Sequence, residues 1–299
     1  MEKIIEINDL TKFYRGGITG IETLTLTVNE GEIYGFLGSN GSGKTTTIRL
    51  LLNFLFPTSG SARIFGKDII ADHIEITRNI GYIPSPVSPN RSLTGEAFLK
   101  YTSGFYKRVS GRARSELLER FEFSSRDLKR KIKDYSSGMA RKIAIIQAFE
   151  HRPRLIIMDE PTEGLDPVMQ HEFYKLMKEY KSKGGTAFIS SHHLREVERV
   201  CDRAAIIRKG RLVTVEDVQD LMNGMSRKIK VVFGKKVTKF DLIDPAWEII
   251  TFDGKKLEAI IISDLNRIIK ILSKFEITDM TLPPRSLEDV FLDYYQEGE

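Results

Sequence analysis

Gly38-Ser39-Asn40-Gly41-Ser42-Gly43-Lys44-Thr45 fits the pattern G-x-x-x-x-G-K-[ST]. Residues 32–37 before it read as a strand, and residues 44–56 after it have helical periodicity. A strand that enters a helix through such a loop forms a phosphate cradle. The glycines let the backbone turn tightly and aim its N–H groups at phosphate oxygens. Lys44 supplies a point charge for β- and γ-phosphates, and the helix that starts near it adds the positive end of its dipole. The Thr45 hydroxyl is a hard oxygen ligand suited to Mg2+.

Downstream, Leu155-Ile156-Ile157-Met158-Asp159-Glu160 is a buried strand that ends in two acids. Asp159 can hold Mg2+ through water, and Glu160, one residue further, can polarise an attacking water. Alone, these acids read as an ordinary turn after a strand; the phosphate loop upstream makes the catalytic reading the better one.

Residues 3–10 and 24–28 alternate apolar and polar side chains, as half-buried strands do, and 61–65 read as another short strand. Residues 116–133 read as one highly charged helix, 139–150 as a second and 171–183 as a third. The short apolar runs 155–158 and 187–189 suit a parallel sheet covered on both faces, so the alternation predicts a layered α/β core. After about Asn223 the composition shifts. Strands are expected at Lys228–Phe233, Trp247–Phe252 and 256–262, the last two joined by an Asp253-Gly254 hairpin turn. A helix over 264–275, capped by Asp264 or Ser263, and a final one over 286–295 complete a small α+β domain.

The 299 residues are 41% hydrophobic and 29% charged, an ordinary globular composition. One cysteine, Cys201, allows no internal disulfide and suits a reducing compartment. No secretory signal is read at Met1, and the greasiest stretch, 48–56, is interrupted by Arg49 and Asn53. It falls far short of the roughly 20 apolar residues of a membrane span, so any membrane crossing is expected of another chain. The net charge of +5 is uneven: residues 100–154 hold 15 Lys/Arg against 6 Asp/Glu. That segment is either a solvated basic face or a surface for an anionic membrane or nucleic acid.

At this point the chain resembles the ATP-binding cassette (ABC) ATPase family over about residues 3–220. Asp134-Tyr135-Ser136-Ser137-Gly138-Met139 stands where the family carries its signature, usually Leu-Ser-Gly-Gly-Gln. Glu160-Pro161-Thr162-Glu163-Gly164-Leu165-Asp166-Pro167 resembles the segment that follows the catalytic acid, Ser190-Ser191-His192 matches the switch histidine, and Tyr14 stands where an aromatic stacks on adenine. The resemblance implies a P-loop NTPase core with an antiparallel β subdomain and a helical signature subdomain over 1–222. The small α+β domain, 223–299, would be accessory.

It also implies an ATPase in which two cassettes, identical or different, face each other head to tail. Residues 38–46 of one, Thr46 included, and Ser136, Ser137 and Gly138 of the other would hold one ATP, with Glu160 orienting water and His192 contacting the γ-phosphate. Ser136 can cap the next helix and Gly138 allows close backbone approach, whereas Tyr135, Ser137 and Met139 depart from the common signature. Ser85 stands where the family has Gln or Glu, after Ile80-Gly81-Tyr82-Ile83-Pro84. Serine is too short to reach a metal from there, so either water fills the gap or the contact is absent.

Ser286-Leu287-Glu288-Asp289-Val290-Phe291-Leu292 is similar to the tail of ATPases paired with drug-, antibiotic- or polysaccharide-exporting permeases. The expectation is an ATPase subunit at the cytoplasmic face of a cell membrane, bound to a transmembrane permease and not to nucleic acid. The alternatives are a soluble ABC ATPase acting on ribosomes or DNA and a non-hydrolysing scaffold. Ribosome-acting relatives usually carry two cassettes, DNA-repair relatives insert long coiled coils, and a scaffold would not need Lys44, Asp159, Glu160 and His192. Cys201 and Trp247 are expected to be packing residues.

Overall fold

A computed structural model describes residues 2–106, 109–223, 228–262 and 264–282. The chain divides into two compact units, Met1–Val218 and Gln219–Glu299.

The first unit holds β1 (Lys3–Phe13), β2 (Thr19–Asn29), β3 (Ile33–Leu37), α1 (Lys44–Leu51), β4 (Ser59–Ile64), β5 (Lys67–Asp68), α2 (His73–Thr77) and β6 (Ile80–Ile83). It continues through α3 (Gly95–Ser103), α4 (Gly111–Arg120), α5 (Ser125–Lys129), α6 (Ser137–Phe149), β7 (Leu155–Asp159), α7 (Pro167–Ser182), β8 (Thr186–Ser191), α8 (Leu194–Val200), β9 (Arg203–Arg208) and β10 (Arg211–Asp217). Two sheets result. One has the order β10-β9-β3-β8-β7-β6, parallel except for the β9–β10 pair; the other is antiparallel, β2-β1-β4-β5.

Every residue of β3, β7 and β8 is buried, as the continuous apolar runs require. Tyr34 stacks on Phe188 at 5.9 Å, and Phe36 meets the same ring at 5.3 Å. A single apolar core joins Ile5, Ile7 and Leu26 of the antiparallel sheet to Ile48 and Leu51 of α1 and to Phe36 and Ile157 of the parallel sheet. The phosphate loop is thereby pinned on both sides, since the strand before it and the helix after it belong to one core. In the parallel sheet β3, β7 and β8 lie side by side with all their carboxyl ends on one edge, which gathers the phosphate loop, the two acids and His192 there.

Two helix expectations fail for reasons of local chemistry. The helix expected over 44–56 ends at Leu51 because Asn53 adopts φ 57°, a left-handed conformation that asparagine tolerates. The single helix expected over 116–133 is broken. Glu122 has φ 50°, and Ser124 opens α5 with a reciprocal capping box to Asp127. A short 3-10 turn, Ile132–Asp134, then leads to the signature.

The second unit begins within α9 (Val218–Asn223) and contains β11 (Lys228–Phe233), β12 (Trp247–Phe252), β13 (Lys256–Ile261), α10 (Leu265–Leu272) and β14 (Ile277–Thr281), with antiparallel strand order β12-β13-β11-β14. Gly254 turns the β12–β13 hairpin with φ 93°, and Asp264 caps α10 by accepting from the Asn266 N–H. The unit has its own core of Ile229, Val231, Phe233, Trp247, Leu257 and Ile268. Trp247 is buried and donates its indole N–H to the Leu242 carbonyl at 2.6 Å. Cys201, in the first unit, is buried too, and burial pushes its thiol pKa up. The helix expected over 286–295 and the tail motif 286–292 lie outside the described residues.

Candidate functional site

Two glycines fix the shape of the phosphate loop. Gly43 precedes α1 at φ 112°, and a side chain there would run into the Gly20 carbonyl at 2.6 Å. A Cβ on Gly38 would come within 2.5 Å of the Ile207 carbonyl. Lys44 is folded back over the loop it follows: its ammonium donates to the carbonyls of Gly38 at 2.7 Å and Ser39 at 3.2 Å. The ammonium also lies 3.4 Å from Glu160 Oε1, although both side chains are almost fully buried.

Thr45 and Asp159, 114 residues apart, meet at the carboxyl edge of the sheet, where the threonine hydroxyl donates to Asp159 Oδ2 at 2.8 Å. Ser190 Oγ donates to the other oxygen, Oδ1. A hydroxyl and a buried carboxylate in contact are a hard-oxygen pair of the kind Mg2+ prefers, so the residues present fit that ion. Glu160 follows at φ 48°, a left-handed conformation that costs a non-glycine residue about 1–3 kcal/mol. Its backbone N–H donates to the Ser190 carbonyl at 3.1 Å, which fixes the turn.

The Glu160 carboxylate accepts hydrogen bonds at one oxygen only. His192 Nδ1 lies 2.8 Å from Oε2, and the His192 backbone N–H donates to the same oxygen at 3.3 Å. Oε1 is buried and has no hydrogen-bond partner among the described residues. A buried acceptor with spare capacity beside a lysine is suited to orienting a water molecule.

These groups line a cavity of about 390 Å³. Of the residues singled out from sequence, Tyr14, Asn40, Gly41, Gly43, Lys44, Thr45, Thr46, Ser85, Asp159, Glu160 and His192 face it. The Tyr14 hydroxyl lies 3.1 Å from Thr46 Oγ1, which ties the aromatic wall to the phosphate loop. Gly38, Ser39 and Ser42 form the base of the loop and do not line the cavity. Nor do Ser136, Ser137 and Gly138: Ser136 caps α6 by accepting from the Met139 N–H, and Gly138 packs near the Gly164 carbonyl.

Three features escaped the sequence. Ile18, Thr19 and Gly20 line the cavity beside Tyr14 and carry no motif. Glu163 lines it as well; a third acid, three residues past Glu160, was the available signal. Arg141, just past the signature in sequence, is 4% exposed and does not line the cavity. Its guanidinium donates to the carbonyls of Glu163 at 3.1 Å and Pro84 at 3.0 Å. Burial lowers its pKa, opposed by Glu163, Asp159, Glu160 and Glu196 around it.

Comparisons with known proteins agree with this geometry. Residues 21–163 match the family model described as ABC transporter. The chain is 34% identical over its whole length to the uncharacterized ABC transporter ATP-binding protein YdbJ of Bacillus subtilis, of which it covers 98%. It is 39% identical to the bacitracin transport ATP-binding protein BcrA of Bacillus licheniformis, with 71% of this chain and 69% of that one aligned. Among solved structures, an ATP-binding subunit of an ABC transporter superposes with a TM-score of 0.68 at 31% identity, covering 74% of this chain and 92% of its own. A dimeric ATP-binding cassette in a post-hydrolysis state, bound to ADP and Pi, superposes with a TM-score of 0.65 at 25% identity, covering 72% of this chain and 98% of its own.

Proposed function

The chain belongs to the family of ABC transporter ATP-binding proteins, and from that premise we propose that it is the ATPase subunit that drives export through a separate transmembrane permease. Membership makes it an ATP-binding ATPase with a P-loop core. The rest is assigned to its residues here. Among the described residues no helix is long and apolar enough to cross a membrane, which leaves the translocation path to a partner. The similarity to the bacitracin transport protein supports a transport role, and an export ATPase of this kind would work at the cytoplasmic face of the membrane.

The observation that carries the reading is Glu160, one carboxylate oxygen held by His192 and the other buried without a donor beside Lys44. The loop amides of residues 38–46 and the start of α1 cradle the phosphates of ATP, while Tyr14 offers an aromatic face to the base. Lys44 exchanges its loop carbonyls for phosphate oxygens. Glu160 Oε1 accepts from the attacking water and His192 keeps the carboxylate aimed. Thr45 and Asp159 would hold Mg2+, with Ser85 reaching it only through water; the ion supplies positive charge against the phosphates. Ser136, Ser137 and Gly138 lie outside this cavity, which suits a role in closing the nucleotide site of a second cassette; a solved relative of this chain is a dimer. Residues 1–222 would then be the catalytic domain and 223–299 an accessory one.

Glu160→Gln tests the reading. It keeps the shape of the site and removes the base, so turnover should fall about 10²–10⁴-fold while ATP affinity is retained. With MgATP the variant should accumulate as a dimer in solution. Near-parental hydrolysis would show that another group activates the water. Purification of the native complex should bring down a polytopic membrane protein; recovery of the chain without one would remove the permease from the reading.

A further inference from the structure

Ser85 follows β6 on the wall of the cavity, and its hydroxyl is committed. It donates to Glu163 Oε2 at 3.0 Å, across 78 residues of sequence. The same carboxylate oxygen lies 3.6 Å from the Arg141 guanidinium, whose side chain is 5% exposed where that of Glu163 is 57%. Arg141 therefore does not merely neutralise a surface acid. With its other nitrogens it donates to the Glu163, Pro84 and Asp159 carbonyls, at 3.1, 3.0 and 3.5 Å. One buried cation thus joins the loop that carries Ser85, the end of the strand that carries Asp159, and the turn between Glu160 and Glu163. The turn is closed by the Glu163 N–H donating to the Glu160 carbonyl at 3.2 Å.

Glu163 and Ser85 face the same cavity as Thr45 and Asp159. We propose that Glu163 is a ligand-facing residue of the ATPase site, positioned by Ser85 and Arg141 so that this wall would present a carboxylate oxygen toward the magnesium–nucleotide, a contact for which serine alone is too short. The inference rests on the assignment of this cavity as the ATPase site. Ser85 and Glu163 act as one unit: the short side chain leaves room, and the acid from the neighbouring turn fills it. The exposure of Glu163 leaves its ion pair with Arg141 open to solvent screening, so the arrangement is held by geometry more than by charge.

The test uses the full chain with Glu163→Ala, Glu163→Gln, Ser85→Ala and the double variant Ser85→Gln/Glu163→Ala. Two quantities are read against Mg2+ concentration: ATPase rate, and equilibrium binding of a fluorescent ATP analogue. Thermal unfolding is followed in parallel. Glu163→Ala should raise the Mg2+ midpoint of both at least fivefold with Tm shifted by less than about 2 °C. Glu163→Gln should raise it less, and Ser85→Ala should move it in the same direction. The longer glutamine in Ser85→Gln/Glu163→Ala should return the midpoint to within about twofold of the parent. A Glu163→Ala midpoint within twofold of the parent overturns the proposal. So does a shift that tracks a loss of Tm and is not rescued by glutamine at position 85, since that describes a merely structural acid. Glu160→Gln is assayed alongside. If it loses turnover while Glu163→Ala is silent, only this inference fails; if it hydrolyses normally, the assignment of the site fails first.

Discussion

Glu196 sets the pH dependence of stability that this fold should display. It lies in α8 and is 2% exposed. Ser191 Oγ donates to its Oε2 at 2.6 Å. Burial raises its pKa from 4.5 to about 7; the Ser191 and Thr162 hydroxyls pull it back, Glu160 pushes it further up and His192 lowers it. A carboxyl whose folded pKa lies above its unfolded value contributes most below the unfolded pKa. That contribution is lost as pH rises from 4.5 through about 7, because in that window the unfolded chain ionises while the folded carboxyl is still protonated. A rise from 4.5 to about 7 corresponds to about 3 kcal/mol at alkaline pH, at about 1.36 kcal/mol per unit.

Glu196→Gln keeps the shape and removes the titration. The variant-minus-parent stability should be near zero at pH 4.5 and climb to about 3 kcal/mol by pH 8.5, or about 6–12 °C in Tm for a domain of this size. Thermal unfolding of both chains at pH 4.5, 7 and 8.5 reads this directly, and the subtraction cancels the titrating groups that do not touch Glu196. A difference that is the same at all three pH values would refute the reasoning, because it would mean that Glu196 folds in one protonation state throughout.

Lys44→Ala removes a charged donor to phosphate, so nucleotide affinity should drop about tenfold or more, corresponding to about 1.5–3 kcal/mol; calorimetry that gives an unchanged Kd would displace Lys44 from the phosphates. Arg126, Lys129, Lys131 and Lys133 are exposed, with no ion-pair partner among the described residues. Replacing Lys129, Arg130, Lys131 and Lys133 by Gln should weaken salt-sensitive association with anionic liposomes, each residue near the surface contributing about 1 kcal/mol, while basal ATPase is spared; equal binding at low salt, or a preference of the parent for RNA, would defeat this. A chain ended at Asn223 keeps every residue of the cavity and is expected to hydrolyse ATP, so a folded fragment that fails to bind nucleotide would join the second unit to the site.

The core of the first unit was legible because its signals are local. Continuous apolar runs at 155–158 and 187–189 became the buried strands Leu155–Asp159 and Thr186–Ser191, and the phosphate loop fell between a strand and a helix as its pattern demands. The failures were local as well. Helical periodicity does not reveal that Asn53 and Glu122 turn left-handed. The Ser124–Asp127 capping box that restarts the chain sits inside a run of charges that looks uniformly helical.

The site divides along a different line. Lys44, Thr45, Asp159, Glu160 and His192 announce themselves because each stands at a fixed offset from a strand end, and offsets survive in sequence. Glu163, Arg141 and Glu196 do not, since each acts by reaching a residue distant in the chain or in the neighbouring turn: Glu163 to Ser85, Arg141 to Pro84, Glu196 to Ser191. The departure of Ser85 from the usual long side chain was visible, but its consequence was not, because the compensating acid comes from a different loop. Basic residues behave the same way. Of the 15 Lys/Arg between residues 100 and 154, Arg141 is sunk into the core and Arg114 is tied to the buried Glu150 at 2.7 Å, so charge counting along the chain overstates the surface they form. Around α5 and the 3-10 turn, by contrast, the broken helix leaves Lys129, Lys131 and Lys133 exposed, and it is there that the substitution of lysines tests for an anionic partner.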